Sequence, residues 1–150
     1  MESLPIGDYA LLSDCRSAAL VSRAGSVDWL CFPRFDGPSV FCRLVDPAGG
    51  HFGIRPAGDF QATRVYAGQT MALETTFVTG AGTAVLTDAM AVGRNERGHD
   101  LGAGSPGVLL RKLACATGDG LQDRVDQAVF GAWGVTDLHV HLPGGARQPP

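Results

Sequence analysis

Met71-Ala72-Leu73-Glu74-Thr75-Thr76-Phe77-Val78 is followed by Thr79-Gly80-Ala81-Gly82 and then by Thr83-Ala84-Val85-Leu86-Thr87-Asp88-Ala89-Met90-Ala91-Val92. In the first run Leu73, Thr75 and Phe77 fall on one face and Ala72, Glu74 and Thr76 on the other. That period of two marks a strand with one face packed and one wet, because successive strand side chains point to opposite sides of a sheet. Met71–Val78 and Thr83–Val92 therefore read as two strands separated by a glycine-bearing turn, and β structure is the first expectation.

Working outward from this pair, the same grammar repeats. Tyr9–Ser13 and Ala18–Ser22 are short apolar runs, and Arg23-Ala24-Gly25-Ser26 leads at once into Val27–Phe32. Two β-type runs joined through so few residues, one of them glycine, predict a hairpin. Pro33 ends the ladder because it has no N–H to donate, so Arg34–Ser39 reads as a loop before a strand at Val40–Val45. After the turn Asp46-Pro47-Ala48-Gly49-Gly50 come His51–Ile54 and Phe60–Tyr66; a polar loop, Gly93–Gly107, precedes a last run at Val108–Ala116. In that run Leu109, Arg111 and Leu113 alternate with Leu110 and Lys112. Short strands with turns between them predict an all-β, antiparallel super-β-sandwich over residues 1–117. Residues 118–150 read as a separate, divergent tail, partly disordered. Leu121, Val125 and Val129 at i, i+4 and i+8 suggest a short helix over Leu121–Phe130, and Val135–Leu142 alternates like a strand.

The bulk composition agrees and removes several function classes. Glycine (21) and proline (9) make up one residue in five of the 150 and fall between apolar runs, as turns require. A net charge of −3 with no basic patch argues against nucleic acid as a partner. No apolar run reaches the roughly 20 residues of a membrane span, and the opening lacks the pattern of a secretory signal, so a cytoplasmic location is expected. Cys15, Cys31, Cys42 and Cys115 contain no Cys-x-x-Cys pair, which gives zinc little support; free, mostly buried thiols in a reducing compartment are expected.

Pro5-Ile6-Gly7-Asp8-Tyr9-Ala10, the long run Gly25-Ser26-Val27-Asp28-Trp29-Leu30-Cys31-Phe32-Pro33-Arg34-Phe35-Asp36, and Pro38-Ser39-Val40-Phe41 resemble the N-terminal domain of glycoside hydrolase family 15, the bacterial glucoamylases and trehalases. Gly49-Gly50-His51-Phe52, Leu73-Glu74-Thr75-Thr76-Phe77 and Leu86-Thr87-Asp88-Ala89-Met90 fit its later landmarks. The likeness covers about residues 5–116. It implies a super-β-sandwich that precedes an (α/α)6 barrel, where two glutamates cleave α-glucosidic bonds with inversion. That barrel is missing from this sequence. The expected role is a non-catalytic domain that docks on and supports the barrel, with no cofactor and with α-glucan or trehalose as a further candidate partner.

The residues agree with an inactive chain. An inverting glycosidase needs two carboxyl groups roughly 6.5–9.5 Å apart, yet the glutamates are Glu2 at the terminus, Glu74 on a polar strand face and Glu96 in a charged loop. Asp28, Trp29, Arg34, Phe35 and Asp36 are the candidates for the substrate rim or the domain contact. Aromatic rings offer sugars a flat apolar platform, and Arg and Asp bond hydroxyls. The alternative is that Trp29, Leu30 and Phe32 are core while Arg34 and Asp36 pin the loop after Pro33, and core packing is favoured for Trp29. Arg94–Asp100 reads first as a solvated connection and second as another domain contact. A free carbohydrate-binding module, stacking sugars on Trp29, Phe35 or Trp133, is the runner-up function. A metal-binding fragment is third: His139 and His141 would share a strand face, and their run looks like an amidohydrolase motif, but no barrel follows to complete a site.

Overall fold

Leu73, Thr75 and Phe77 are buried, whereas Glu74 and Thr76 are half-buried on the opposite face. The computed structural model describes residues 4–117, 126–130 and 140–141. Among these the strands are β1 (Tyr9–Ser13), β2 (Ala18–Ser22), β3 (Ser26–Cys31), β4 (Ser39–Phe41), β5 (His51–Gly53), β6 (Gln61–Tyr66), β7 (Leu73–Thr79), β8 (Gly82–Met90), β9 (Leu109–Thr117), β10 (Asp126–Phe130) and β11 (Val140–His141). All pairings are antiparallel. The first sheet runs β1-β2-β3-β5-β11, with β4 also on β3, and the second runs β10-β9-β8-β7-β6. The fold is an all-β sandwich. No helix among the described residues is long and apolar enough to cross a membrane.

The core lies between the sheets. Leu12, Val21, Val27, Leu30, Phe41 and Phe52 from the first meet Leu73, Phe77, Leu86 and Leu109 from the second, all essentially inaccessible to solvent. Burial of each such side chain is worth about 1.5–3 kcal/mol. Two members of this interior, Arg111 and Asp88, are charged. Arg111 follows Leu109 on the inner face of β9, and its Nε and Nη2 bond the Asp88 carboxylate at 2.7 and 3.0 Å. Its remaining donors cross to the first sheet: Nη1 reaches the Phe52 carbonyl and Nη2 the Gly25 carbonyl, each at 2.7 Å. The guanidinium also lies 4.8 Å over the centre of the Phe52 ring. Gly25 must be glycine here, because its φ is +74° and a Cβ would sit 2.4 Å from the Ile54 carbonyl oxygen.

At the sheet margin Tyr66 of β6 closes the free edge of β1. Its hydroxyl accepts the Leu11 N–H at 3.0 Å and donates to the Leu11 carbonyl at 2.9 Å, covering an edge that could otherwise pair with another chain.

Two sequence expectations change. The strand expected over Val40–Val45 stops at Phe41. Cys42 and Arg43 donate to the Gly49 and Gly50 carbonyls, while Leu44 donates to the Asp28 carbonyl, so the backbone is drawn into a turn. The helix expected over Leu121–Phe130 is replaced, at Asp126–Phe130, by β10, which pairs along Leu109–Leu113. An open edge on β9 offers that segment a full ladder, and tertiary pairing outweighs a three-residue helical spacing. Residues 121–125 lie outside the described residues.

Candidate functional site

Three connections interlock at one end of the sandwich: 14–17 between β1 and β2, 32–38 after β3, and 91–108 between β8 and β9. The first is built by Asp14. Its buried carboxylate accepts the N–H groups of Arg16 at 3.0 Å and Ser17 at 2.7 Å, which turns the chain locally. The Ser105 hydroxyl bonds the same carboxylate and ties the third connection to the first. Gly102 makes the approach possible, since a Cβ there would lie 2.4 Å from the Asp14 carbonyl oxygen. The second connection joins through the Phe35 N–H, which donates to the Arg16 carbonyl at 2.9 Å. Arg16 Nη1 in turn reaches the Ala103 carbonyl at 3.3 Å.

Glu96 organises the third connection from within. Its carboxylate accepts the backbone N–H groups of Gly104, Gly102 and Gly93, the last two at 2.7 and 3.2 Å. These donors hold its carboxyl below the usual carboxylate range, with the Gly104 N–H the largest influence. Arg94–Asp100 is thus a loop with its own internal anchor, although most of its side chains are exposed.

The result is a groove of about 440 Å³ lined by Cys15, Arg16, Arg34, Phe35 and Asp36. Phe35 is 58% exposed on it. Arg34 Nε donates to Asp36 at 2.9 Å and holds that carboxyl below its usual range. An exposed aromatic ring sharing a groove with two arginines, on loops ordered by long-range bonds, is the composition of a protein contact or a sugar platform.

Of the residues expected from sequence, Arg34, Phe35 and Asp36 come together here. Asp28 and Trp29 do not line this groove. Asp28 is the extra residue where β3 slips register against β2, between the pairs Val21 with Val27 and Leu20 with Trp29. Its carboxylate is buried, and Ser26 Oγ and Arg43 Nη2 each approach it to 2.6 Å and Tyr9 Oη to 3.0 Å. Burial first, and this hydrogen bond next, push the Tyr9 phenol up to about 12. Trp29 is half-buried on the outer face of the first sheet, opposite Leu20. Leu30 is core, and Phe32 packs partly against it. Sequence reasoning missed Cys15 and Arg16; the only local signal was Asp14 three residues before Ser17. His139 lies outside the described residues, and among those described no group of three His, Cys, Asp or Glu side chains could hold a metal. Cys15, Cys31 and Cys42 are free, with Cys15 exposed.

The family model described as "Trehalase-like, N-terminal" matches residues 1–99. The chain belongs to the trehalase-like N-terminal family. A trehalase of Mycolicibacterium smegmatis is 40% identical over 124 residues, covering 76% of this chain and 19% of the relative. A trehalase of Mycobacterium tuberculosis is 38% identical over 124 residues, covering 76% of this chain and 18% of its own length. Trehalase 1 of Sulfolobus acidocaldarius is 45% identical over 78 residues, 51% of this chain and 14% of the relative. The match thus spans about a fifth of the length of its mycobacterial relatives. No solved structure matches the chain. In this trehalase-like N-terminal sandwich the buried carboxylates Asp14, Asp28 and Asp88 are all engaged by internal donors. Glu74 and Glu96 stand on different features, a strand face and a loop anchor.

Proposed function

We propose that this chain is the non-catalytic sandwich of a glycoside hydrolase family 15 trehalase or glucoamylase, and that its loop end around Phe35 docks on and supports an (α/α)6-barrel catalytic domain. The observation that carries this reading is the engagement of the buried carboxylates: Asp14, Asp28 and Asp88 each hold the sandwich together, so none is poised toward substrate. The length of the relatives supports it, because about four-fifths of each lies beyond the match. Phe35 serves as the apolar anchor, with Arg16 and Arg34 meeting an acidic or hydroxyl-bearing rim. Asp28 and Trp29 contribute from behind, Asp28 by fixing the frame of β3. Free thiols, one of them exposed, suit a reducing cytoplasm.

The test is a chimera. Residues 1–117 replace the matched stretch of the Mycolicibacterium smegmatis trehalase, and trehalose hydrolysis is compared with that of the enzyme lacking the stretch. Activity restored by the graft and cut at least several-fold by Phe35→Ala or Arg34→Ala is the expected result. Hydrolysis by the 150-residue chain alone, or a graft no better than the deletion, overturns the reading.

The exposure of Phe35 beside an open groove favours one alternative, a free carbohydrate-binding module for α-glucans or trehalose. It requires the isolated chain to bind trehalose or maltose in calorimetry, with loss on Phe35→Ala.

A further inference from the structure

The arginines that enter the sandwich are not treated alike. Arg43 lies 2.6 Å from Asp28 and Arg111 lies 2.7 Å from Asp88. Arg64, half-buried on β6, has no carboxylate within ion-pair distance among the described residues, and its one hydrogen bond runs from Nη1 to the Val21 carbonyl at 3.1 Å. A guanidinium carries five N–H donors, so most of its fork is unused. Desolvating a cation without a counter-charge is costly. Burial, followed by the nearby charge of Arg23, holds the Arg64 guanidinium below its usual range.

Arg23 shares the same cleft, a space of about 240 Å³ whose walls include Tyr9, Arg23, Arg64, Val65, Tyr66 and Leu73. Its nearest carboxylate, Asp8, is 3.6 Å from Nε, too far for a hydrogen bond. The two phenol hydroxyls are already committed, Tyr9 to Asp28 and Tyr66 to Leu11. The rings therefore act as walls, and the free donors in the cleft are guanidinium N–H groups. Two cations line one pocket, and the one carboxylate within ion-pair distance of either among the described residues is the loosely placed Asp8, outside its walls. The complement of that arrangement is a planar or tetrahedral oxyanion, which an arginine fork grips by parallel bonds.

We propose that the cleft between β1 and β6 binds a phosphate-type oxyanion on Arg23 and Arg64, either free inorganic phosphate or the phosphoryl group of a small sugar phosphate. Trehalose is uncharged, so this site is separate from any sugar platform at Phe35, with which it shares no residue. The proposal does not depend on docking to a catalytic domain.

The test uses the 150-residue chain in calorimetric titrations with inorganic phosphate, glucose 6-phosphate and glucose, at ionic strength balanced with chloride. Saturable heat with phosphate, none with glucose, and a loss of affinity of tenfold or more in Arg23→Gln are expected. Arg64→Gln loses affinity likewise, and exposed Arg23 keeps the test open should that variant misfold. Asp8→Asn removes the competing carboxylate and tightens binding several-fold. Glucose 6-phosphate bound more tightly than phosphate assigns the site to a sugar phosphate, and equal or weaker binding assigns it to the free anion. Absence of saturable heat at millimolar phosphate, or identical affinity in wild type and Arg23→Gln, overturns the proposal.

Discussion

Arg111 and Arg64 rise from the same face of the same sheet and meet opposite fates. Arg111 pairs across the ladder with Asp88, and Arg64 with Thr75, both partners buried. On the central strand β9 the guanidinium finds a carboxylate, two carbonyls of the facing sheet and an aromatic ring. On the edge strand β6 it finds one carbonyl and an open cleft. The difference teaches how position converts one chemistry into two roles. A cation enclosed on all sides becomes a rivet between sheets, whereas a cation at the margin keeps donors available to something outside the chain.

The enclosed member is the easiest to break. Asp88→Ala leaves Arg111 charged and without its carboxylate in a buried position, a change that costs about 3–5 kcal/mol. Urea denaturation reads it as a large fall in midpoint, with near-native slope if the fold survives. A loss below about 1 kcal/mol would mean that the carbonyls of Phe52 and Gly25 suffice to hold the cation.

Removing both charges sharpens the point. Asp88→Leu with Arg111→Met is expected to be markedly more stable than Asp88→Ala, because an apolar pair of similar volume avoids desolvation. It stays below wild type by about 1–3 kcal/mol, since the Gly25 and Phe52 carbonyls lose their donor. A double variant no better than the single one would show that the arginine's crossing bonds, and not the balance of charge, dominate.

The strand phase of this rivet is legible in the sequence. Leu109, Arg111 and Leu113 share a strand phase, so a charge on the packed face could be read from the alternation alone. What it touches could not: Gly25 is 86 residues away and Phe52 is 59, and nothing local announces either. The strands were legible wherever a period of two ran uninterrupted, as in Leu73–Thr79. They were misread where distant backbone groups intervened, as at Cys42–Leu44, bent by Gly49, Gly50 and Asp28. At the loop end Arg34, Phe35 and Asp36 could be picked out because they follow Pro33 within a distinctive run. Arg16 is brought to the groove by Asp14's turn and by bonds to Phe35 and Ala103, and Asp28 is withheld from it by Tyr9, Ser26 and Arg43.

At the margin the expected effect is small, and that smallness is the contrast with Arg111. Arg64→Gln in anion-free buffer gives up one bond to the Val21 carbonyl but also relieves a half-buried charge beside Arg23. The net change in stability is expected within about 1 kcal/mol. A loss as large as that of Asp88→Ala would make Arg64 a second rivet and remove the distinction drawn between the two strands.

Glu96 supplies a third way to balance a charge, and the smallest effect. Among the described residues no cation is in hydrogen-bond contact with it; three backbone N–H groups hold its carboxylate instead. Because these bonds lower its folded pKa beneath the ordinary 4.5, the loop gains stability from the ionised form above that pH. The contribution fades as pH falls below 4.5 and is gone once the folded group itself protonates. Since the carboxylate bonds only its own loop, acid is expected to speed amide exchange at Gly93, Gly102 and Gly104 while the β7–β8 core amides stay protected. Glu96→Gln should reproduce the acid behaviour at neutral pH, because an amide oxygen accepts these bonds less strongly than a carboxylate does. If the core amides loosened in step with the loop, the third connection would be part of the sandwich's global cooperativity. Phe35 would then be presented by a frame that yields with acid, unlike one riveted at Arg111.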